Sequence, residues 1–142
     1  MINQKICDLP EGYEPSDNEE FMNDRQREYF RRMLEEWKQK LIDGASELRE
    51  SLVEDSETLI EDGDRASTET TLAYELRSKD RARKLVKKID QALARIDNKT
   101  YGYCEETGEP IALGRLKARP VATLSIDAQE RHEKKEKECN NE

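Results

Sequence analysis

Apolar residues are scarce in this chain. They make up 34% of its 142 residues, against 41% charged. That is too little for a thick globular core and suits a two-helix rod with a small head. Long apolar runs are missing, and none approaches the roughly 20 residues that span a bilayer. The N-terminus lacks the basic-then-apolar order of a secretory signal, so a cytoplasmic location is expected. Cysteines are few. Cys7, Cys104 and Cys139 are odd in number and far apart, which does not suggest a disulfide framework. The one histidine, His132, stands in a charged tail with no nucleophile nearby, and no catalytic role falls to it. Positive charge is in deficit: the formal net charge is -8. A general nucleic-acid binder needs a basic face to displace counterions from phosphate, so that class is disfavoured.

What is present is spaced charge and spaced apolar residues. Glu61-Asp62-Gly63-Asp64-Arg65-Ala66 lies between two long charged segments that each read as a helix. Gly63 weakens a helix and tolerates positive φ, so it punctuates the run. From Glu54 to Asp64 there are six carboxylates (Glu54, Asp55, Glu57, Glu61, Asp62, Asp64) and no Lys or Arg. An acidic turn at the far end of a helical hairpin is expected, with its tip at 59–66.

Composition of this kind also permits disorder, but the periodicity excludes it for the middle of the chain. Asn23 is a plausible N-cap, with Gln26 three residues later in a capping-box arrangement. A helix of roughly 24–58 follows, with a stripe of Phe30, Leu34, Trp37, Leu41, Ala45, Leu48 and Leu52. Gly44 interrupts it, at a cost of about 1 kcal/mol relative to Ala, and would admit close approach of a partner helix. A second helix runs from about Asp64 to Asp97. Its stripe is read as Leu72, Leu76, Arg83, Val86, Ile89, Leu93 and Ile96, with the Arg83 stem filling one slot. Each helix is about 50 Å long at 1.5 Å per residue. A short turn makes them antiparallel neighbours in an intramolecular two-stranded coiled coil, residues 24–97.

The flanks are simpler. Residues 1–23 form an acidic arm, which composition alone would leave flexible. Ile6, Leu9, Tyr13 and Phe21 are able to pack near the base. Residues 98–142 form a small lobe with two short extended pieces around a turn at 103–111. Its expected core is Ile111, Leu113, Leu116, Val121, Leu124 and Ile126. A last helix starts at Ser125 or Asp127 and dissolves into a solvated run from His132 to Glu138. The fold class is therefore mainly α: a long antiparallel hairpin with a small lobe and a C-terminal helix.

Several segments together resemble the DksA/TraR family of bacterial RNA polymerase-binding transcription factors. They are Glu19-Glu20-Phe21-Met22-Asn23, Phe30-Arg31-Arg32-Met33-Leu34-Glu35, and Asp64-Arg65-Ala66. Further along come Glu75-Leu76-Arg77, Arg83-Lys84-Leu85, Tyr101-Gly102-Tyr103-Cys104 and Arg115-Leu116-Lys117-Ala118-Arg119-Pro120. The resemblance runs from Tyr13 onward and rests on their joint order and spacing. It implies a coiled coil that enters the secondary channel of RNA polymerase with its tip near the active centre. The family's active tip aspartate and alanine match Asp64 and Ala66. A second tip aspartate falls at Glu61, whose carboxylate sits one methylene further out. The family also binds guanosine tetraphosphate (ppGpp), an effector of the stringent response, at the joint surface with polymerase. Lys88 and Arg119 match contact positions for it, and a third basic position holds Gln129. The family's zinc ribbon uses four cysteines. Here those positions are Cys104, Thr107, Ser125 and Ala128, and structural zinc normally takes four Cys or His ligands. A zinc-independent member with no metal is the implied reading.

Basic residues Arg77, Lys79, Arg81, Arg83, Lys84, Lys87 and Lys88 crowd one stretch of the second helix. Such a run is often only a solvated face, and Glu75 and Asp80 offer partners. Its confinement to one helix, together with the resemblance, makes Arg77, Arg81, Lys84 and Lys88 candidates for docking on the polymerase. The expected function is that of a monomeric regulator of promoter open-complex stability. It is not an enzyme, binds no DNA directly and meets no membrane. The alternatives are a Gre-like stimulator of transcript cleavage, whose tip carboxylates hold a second metal, and a coiled-coil interaction protein unrelated to transcription.

Overall fold

The computed structural model describes residues 5–61 and 65–140, with side chains described at 5–44 and 68–140. The elements are α1 (Asp24–Glu61), α2 (Arg65–Asp97), α3 (Leu113–Ala118) and α4 (Ile126–Asn140). Among the described residues the one strand-like feature is an isolated antiparallel bridge between Tyr103 and Pro110. The mainly helical class holds.

The start of α1 follows the local sequence. Asn23 Oδ1 accepts the Gln26 backbone N–H at 2.8 Å, satisfying a helix donor that has no intrahelical partner. The reciprocal half of the capping box differs from expectation. Gln26 Oε1 accepts the N–H of Met22 at 2.8 Å, while the N–H of Asn23 goes to the Glu20 carbonyl. Met22 lies at φ 50°, and this turn puts its own N–H at the helix start.

The chain divides into two compact units, one of Met1–Leu34 with Gln91–Glu142 and one of Glu35–Asp90. In the first, Phe30 and Leu34 of α1 are buried, as are Ala92, Leu93 and Ile96 of α2. Tyr101, Cys104, Ile111, Leu113, Leu116 and Ala128 complete its core. The Tyr101 hydroxyl donates to the Pro120 carbonyl at 2.7 Å, so its buried polar tip is satisfied. Val121 and Leu124 are only half-buried and Ile126 is exposed, so the lobe core is smaller than expected. Of the expected core, Ile111, Leu113 and Leu116 are buried, the last two on the short helix α3, which was unforeseen from the sequence. Ser125 starts α4, with its Oγ accepting the Ala128 N–H at 3.3 Å. The run from His132 onward does not dissolve. It stays helical to Asn140, with every residue exposed.

The N-terminal arm is anchored within this unit. The Ile6 N–H donates to Glu28 Oε2 at 2.9 Å. Tyr13 packs edge-on against Tyr29, and Phe21 against Tyr103. Gly102, at φ 89°, leaves the space that Met22 and Phe21 occupy.

In the second unit the seam of α2 is not where its leucines suggest. Leu72 and Leu76 are 45% and 67% exposed, and Arg83 is exposed too. One line of covered positions runs through Thr68, Thr71, Glu75, Ser78, Ala82, Leu85 and Ile89, spaced alternately three and four, with Ala73, Lys79 and Val86 half-buried beside it. Counting back from Ile89 at a period of 3.5 lands on those polar residues and misses both leucines by one place. Lys38 of α1 reaches Asp90 of α2 at 2.8 Å. Gly44 is exposed, and a Cβ added there would meet nothing within 4 Å. Close helix approach is therefore not its role. Leu48 and Leu52 lie outside the described side chains.

Candidate functional site

Three groups of residues carry the functional expectations. The first is the tip. Glu61 is the last residue of α1, and Ala66 is the second residue of α2. Asp64 lies outside the described residues, as do the side chains of Glu61 and Ala66.

The second group is the basic face of α2. Between Arg77 and Lys88 there are seven Lys or Arg residues and one acid, Asp80, in a chain of net charge -8. Arg77, Arg81, Lys84 and Lys88 are spaced by four, three and four, which places them on one side of the helix. All four are exposed. Lys84 pairs with Asp80 at 3.1 Å, and Lys79 with Glu75 at 3.1 Å. Arg77, Arg81, Arg83 and Lys88 have no ion pair to a described residue. Leu76, Arg77, Lys79, Asp80 and Arg83 line a shallow groove of about 380 Å³. The exposed leucine at its edge is the feature the sequence reading missed. The signal available was the 3.5-residue period carried back from Ile96 and Ile89.

The third group is the set of zinc-ribbon positions. Cys104, Thr107 and Ser125 do come together. Cys104 is buried, 2% exposed. Burial opposes its ionisation. The backbone N–H of Ser125, the hydroxyl and N–H of Thr107 and the N–H of Glu106 outweigh that and bring the thiol from 9.0 down to about 6. The turn is closed by the Gly108 N–H to the Cys104 carbonyl at 2.8 Å and the Cys104 N–H to the Glu109 carbonyl at 2.8 Å.

This donor set does not fit zinc. Ser125 Oγ is engaged as the cap of α4, and Ala128, buried, offers a methyl group. Only one position of the four supplies a thiolate. Among the described residues no three His, Cys, Asp or Glu side chains converge as metal ligands. His132 Nε2 lies 3.4 Å from Glu106, and Cys139 is exposed on α4. Of the positions matched to ppGpp, Lys88 and Arg119 are exposed. Gln129 donates to Glu133 at 3.1 Å.

A family model described as the N-terminal domain of the DnaK suppressor protein DksA matches residues 26–96, half of the chain. A second, the prokaryotic DksA/TraR C4-type zinc finger, matches residues 99–134. This chain belongs to the DksA family. The RNA polymerase-binding transcription factor DksA of Caulobacter vibrioides is 54% identical over 125 residues, 88% of each chain. The Escherichia coli protein of the same name is 38% identical over 128 residues, 90% of this chain and 85% of that one. Among solved structures, the transcription factor DksA2 from Pseudomonas aeruginosa superimposes with a TM-score of 0.76 at 42% identity. The match covers 82% of this chain and 90% of that one. A coiled-coil hairpin is consistent with that DksA neighbour. The C4-type model matches a segment that keeps one of its four cysteines, so membership does not bring the zinc ligands with it.

Proposed function

We propose that this chain is a transcription regulator that binds RNA polymerase and acts without catalytic chemistry of its own. The observation that carries the reading is the 54% identity, over 88% of the chain, to a protein named as an RNA polymerase-binding transcription factor. The basic, exposed face of α2 supports it with a surface suited to an acidic partner. In this reading Arg77, Arg81, Lys84 and Lys88 dock on the polymerase. The α1–α2 hairpin enters the secondary channel, and Glu61, Asp64 and Ala66 act near the active centre. Differential affinity for two polymerase states is enough to shift the lifetime of open promoter complexes. The chain works as a monomer in the cytoplasm and does not contact DNA directly. ppGpp is an effector through Lys88 and Arg119, with Gln129 weakening the response.

The zinc-ribbon lobe is proposed to be metal-free. A Cys104 thiolate held by N–H and O–H donors takes the place of a metal-centred cluster. Elemental analysis of the purified protein tests this: no stoichiometric zinc is expected, and one equivalent lost on unfolding of the lobe would overturn it. Polymerase binding is tested by fluorescence anisotropy of the labelled protein with purified core and holoenzyme. Saturable binding is expected, and its absence would remove the reading.

A further inference from the structure

Two lines of residues on α2 compete for the seam of the second unit. The occupied line, Thr68, Thr71, Glu75, Ser78, Ala82 and Leu85, is mostly polar, and it buries a carboxylate: Glu75 is 7% exposed. The other line stands one residue further along: Leu72, Leu76, Lys79, Arg83 and Val86, at spacings of four, three, four and three. That is the same coiled-coil spacing, and it carries the leucines that the occupied line lacks. Leu72, Leu76 and Arg83 are exposed, while Lys79 and Val86 are already half-buried. Moving from one line to the other takes a turn of about 100° around the helix axis.

We infer that the stretch of α2 before Ile89 is a two-state register element, which turns between the occupied line and the line through Leu72 and Leu76. Each line wins on one count. The occupied line runs into buried Ile89 in step, from Ala82 to Leu85 to Ile89. The second line reaches Ile89 from Arg83 and Val86 by two successive steps of three, which overwinds the pair locally. In return it takes two leucines out of water and gives the Glu75 carboxylate back to it. Lys79 and Arg83 fit the second line by laying down their stems and keeping their charges outside. Opposed terms of this kind bring two packings of one sequence close in free energy. The turn carries Arg65 and Ala66, the first residues of α2, around the axis, so it re-aims the end of the helix next to the tip. The inference goes beyond the polymerase-binding reading and does not rest on it.

The test uses the full chain alone, by methyl relaxation dispersion at several protein concentrations. Thr68, Thr71, Leu72, Leu76 and Val86 are expected to exchange at one common rate with a second state populated at about 1–10%, while Ile96 stays flat. Leu72→Ser/Leu76→Ser removes the apolar side chains of the second line and leaves the occupied one intact. It is expected to cut the second state by roughly tenfold or more, read at Thr68, Thr71 and Val86. Glu75→Leu makes the occupied line apolar and is expected to quench the exchange as well, with a raised melting temperature. Circular dichroism checks that both variants fold. Flat profiles in the parent would overturn the inference. Exchange that persists undiminished in the leucine variant would also overturn it, since simple fraying does not depend on side chains that are solvated in the packed state. Exchange that grows with protein concentration would overturn it in favour of a second copy covering the leucines.

Discussion

Glu28 Oε2 accepts the backbone N–H of Ile6 at 2.9 Å, joining the N-terminal arm to α1 across 22 positions of sequence. The same carboxylate is held by Arg31 at 2.6 and 2.8 Å and by Arg32 at 2.8 Å. Burial opposes its charge, but the donors from Arg31, Ile6 and Arg32 prevail and lower it from 4.5 to about 2. A carboxylate lowered in the fold contributes stability that is full above its unfolded value near 4.5. That contribution is lost as pH falls through about 2. Glu28→Gln is expected to cost about 2 kcal/mol at neutral pH, since it strips charge from a buried, fully bonded acceptor. Hydrogen exchange should show faster exchange at Ile6 in that variant. Urea melts at pH 7 and pH 3 should show the difference between parent and variant shrinking in acid.

Cys104 provides a pH dependence of its own. Its folded value near 6 lies below the ordinary 9.0. The folded state therefore holds the thiolate between these values while the unfolded chain holds the thiol. Stability from this group is full above about 9, declines as pH falls, and is gone below about 6. Thiolate absorbance of a Cys7→Ser/Cys139→Ser variant should titrate with a midpoint near 6, and chemical denaturation should show rising stability from pH 6 to 8.5.

Gly102 sits at φ 89°, and a Cβ there would lie 3.0 Å from Met22 Cγ and 3.2 Å from Phe21 Cζ. Gly102→Ala is expected to destabilise the protein by about 1–3 kcal/mol through strain and displacement of the arm. A cooperative melt at lower temperature, with increased proteolysis before residue 22, is the expected record.

Gly44 gives the opposite result. Nothing stands within 4 Å of an added Cβ, and the residue lies inside α1. Gly44→Ala should stabilise the protein by about 1 kcal/mol, measured as a rise in denaturation midpoint with an unchanged slope.

Much of the fold was legible because it is periodic. The Asn23 cap, the stripe through Phe30 and Leu34, and the end of α2 at Asp97 all follow local rules. The seam near the turn was misread because Leu72 and Leu76 are apolar, and polar Thr68 and Glu75 hold the register that the distant isoleucines impose. Ile6, Tyr13 and Phe21 were readable as packing residues of the arm, but their partners were not, because Glu28 and Tyr103 lie far along the chain from Ile6 and Phe21. At the zinc-ribbon positions the loss of ligands could be read directly. The N–H donors that gather on Cys104 belong to backbone geometry, and no residue type announces them.

The proposed action of the acidic tip on promoter complexes of RNA polymerase can be followed in real time. The most direct measurement is the decay of preformed open complexes with purified polymerase, in the presence of the parent chain and of Asp64→Asn at saturating concentration. The parent is expected to shorten the lifetime at promoters with unstable open complexes, while Asp64→Asn binds polymerase and leaves the lifetime as it is without the protein. An Asp64→Asn variant that shortens the lifetime as well as the parent would contradict it.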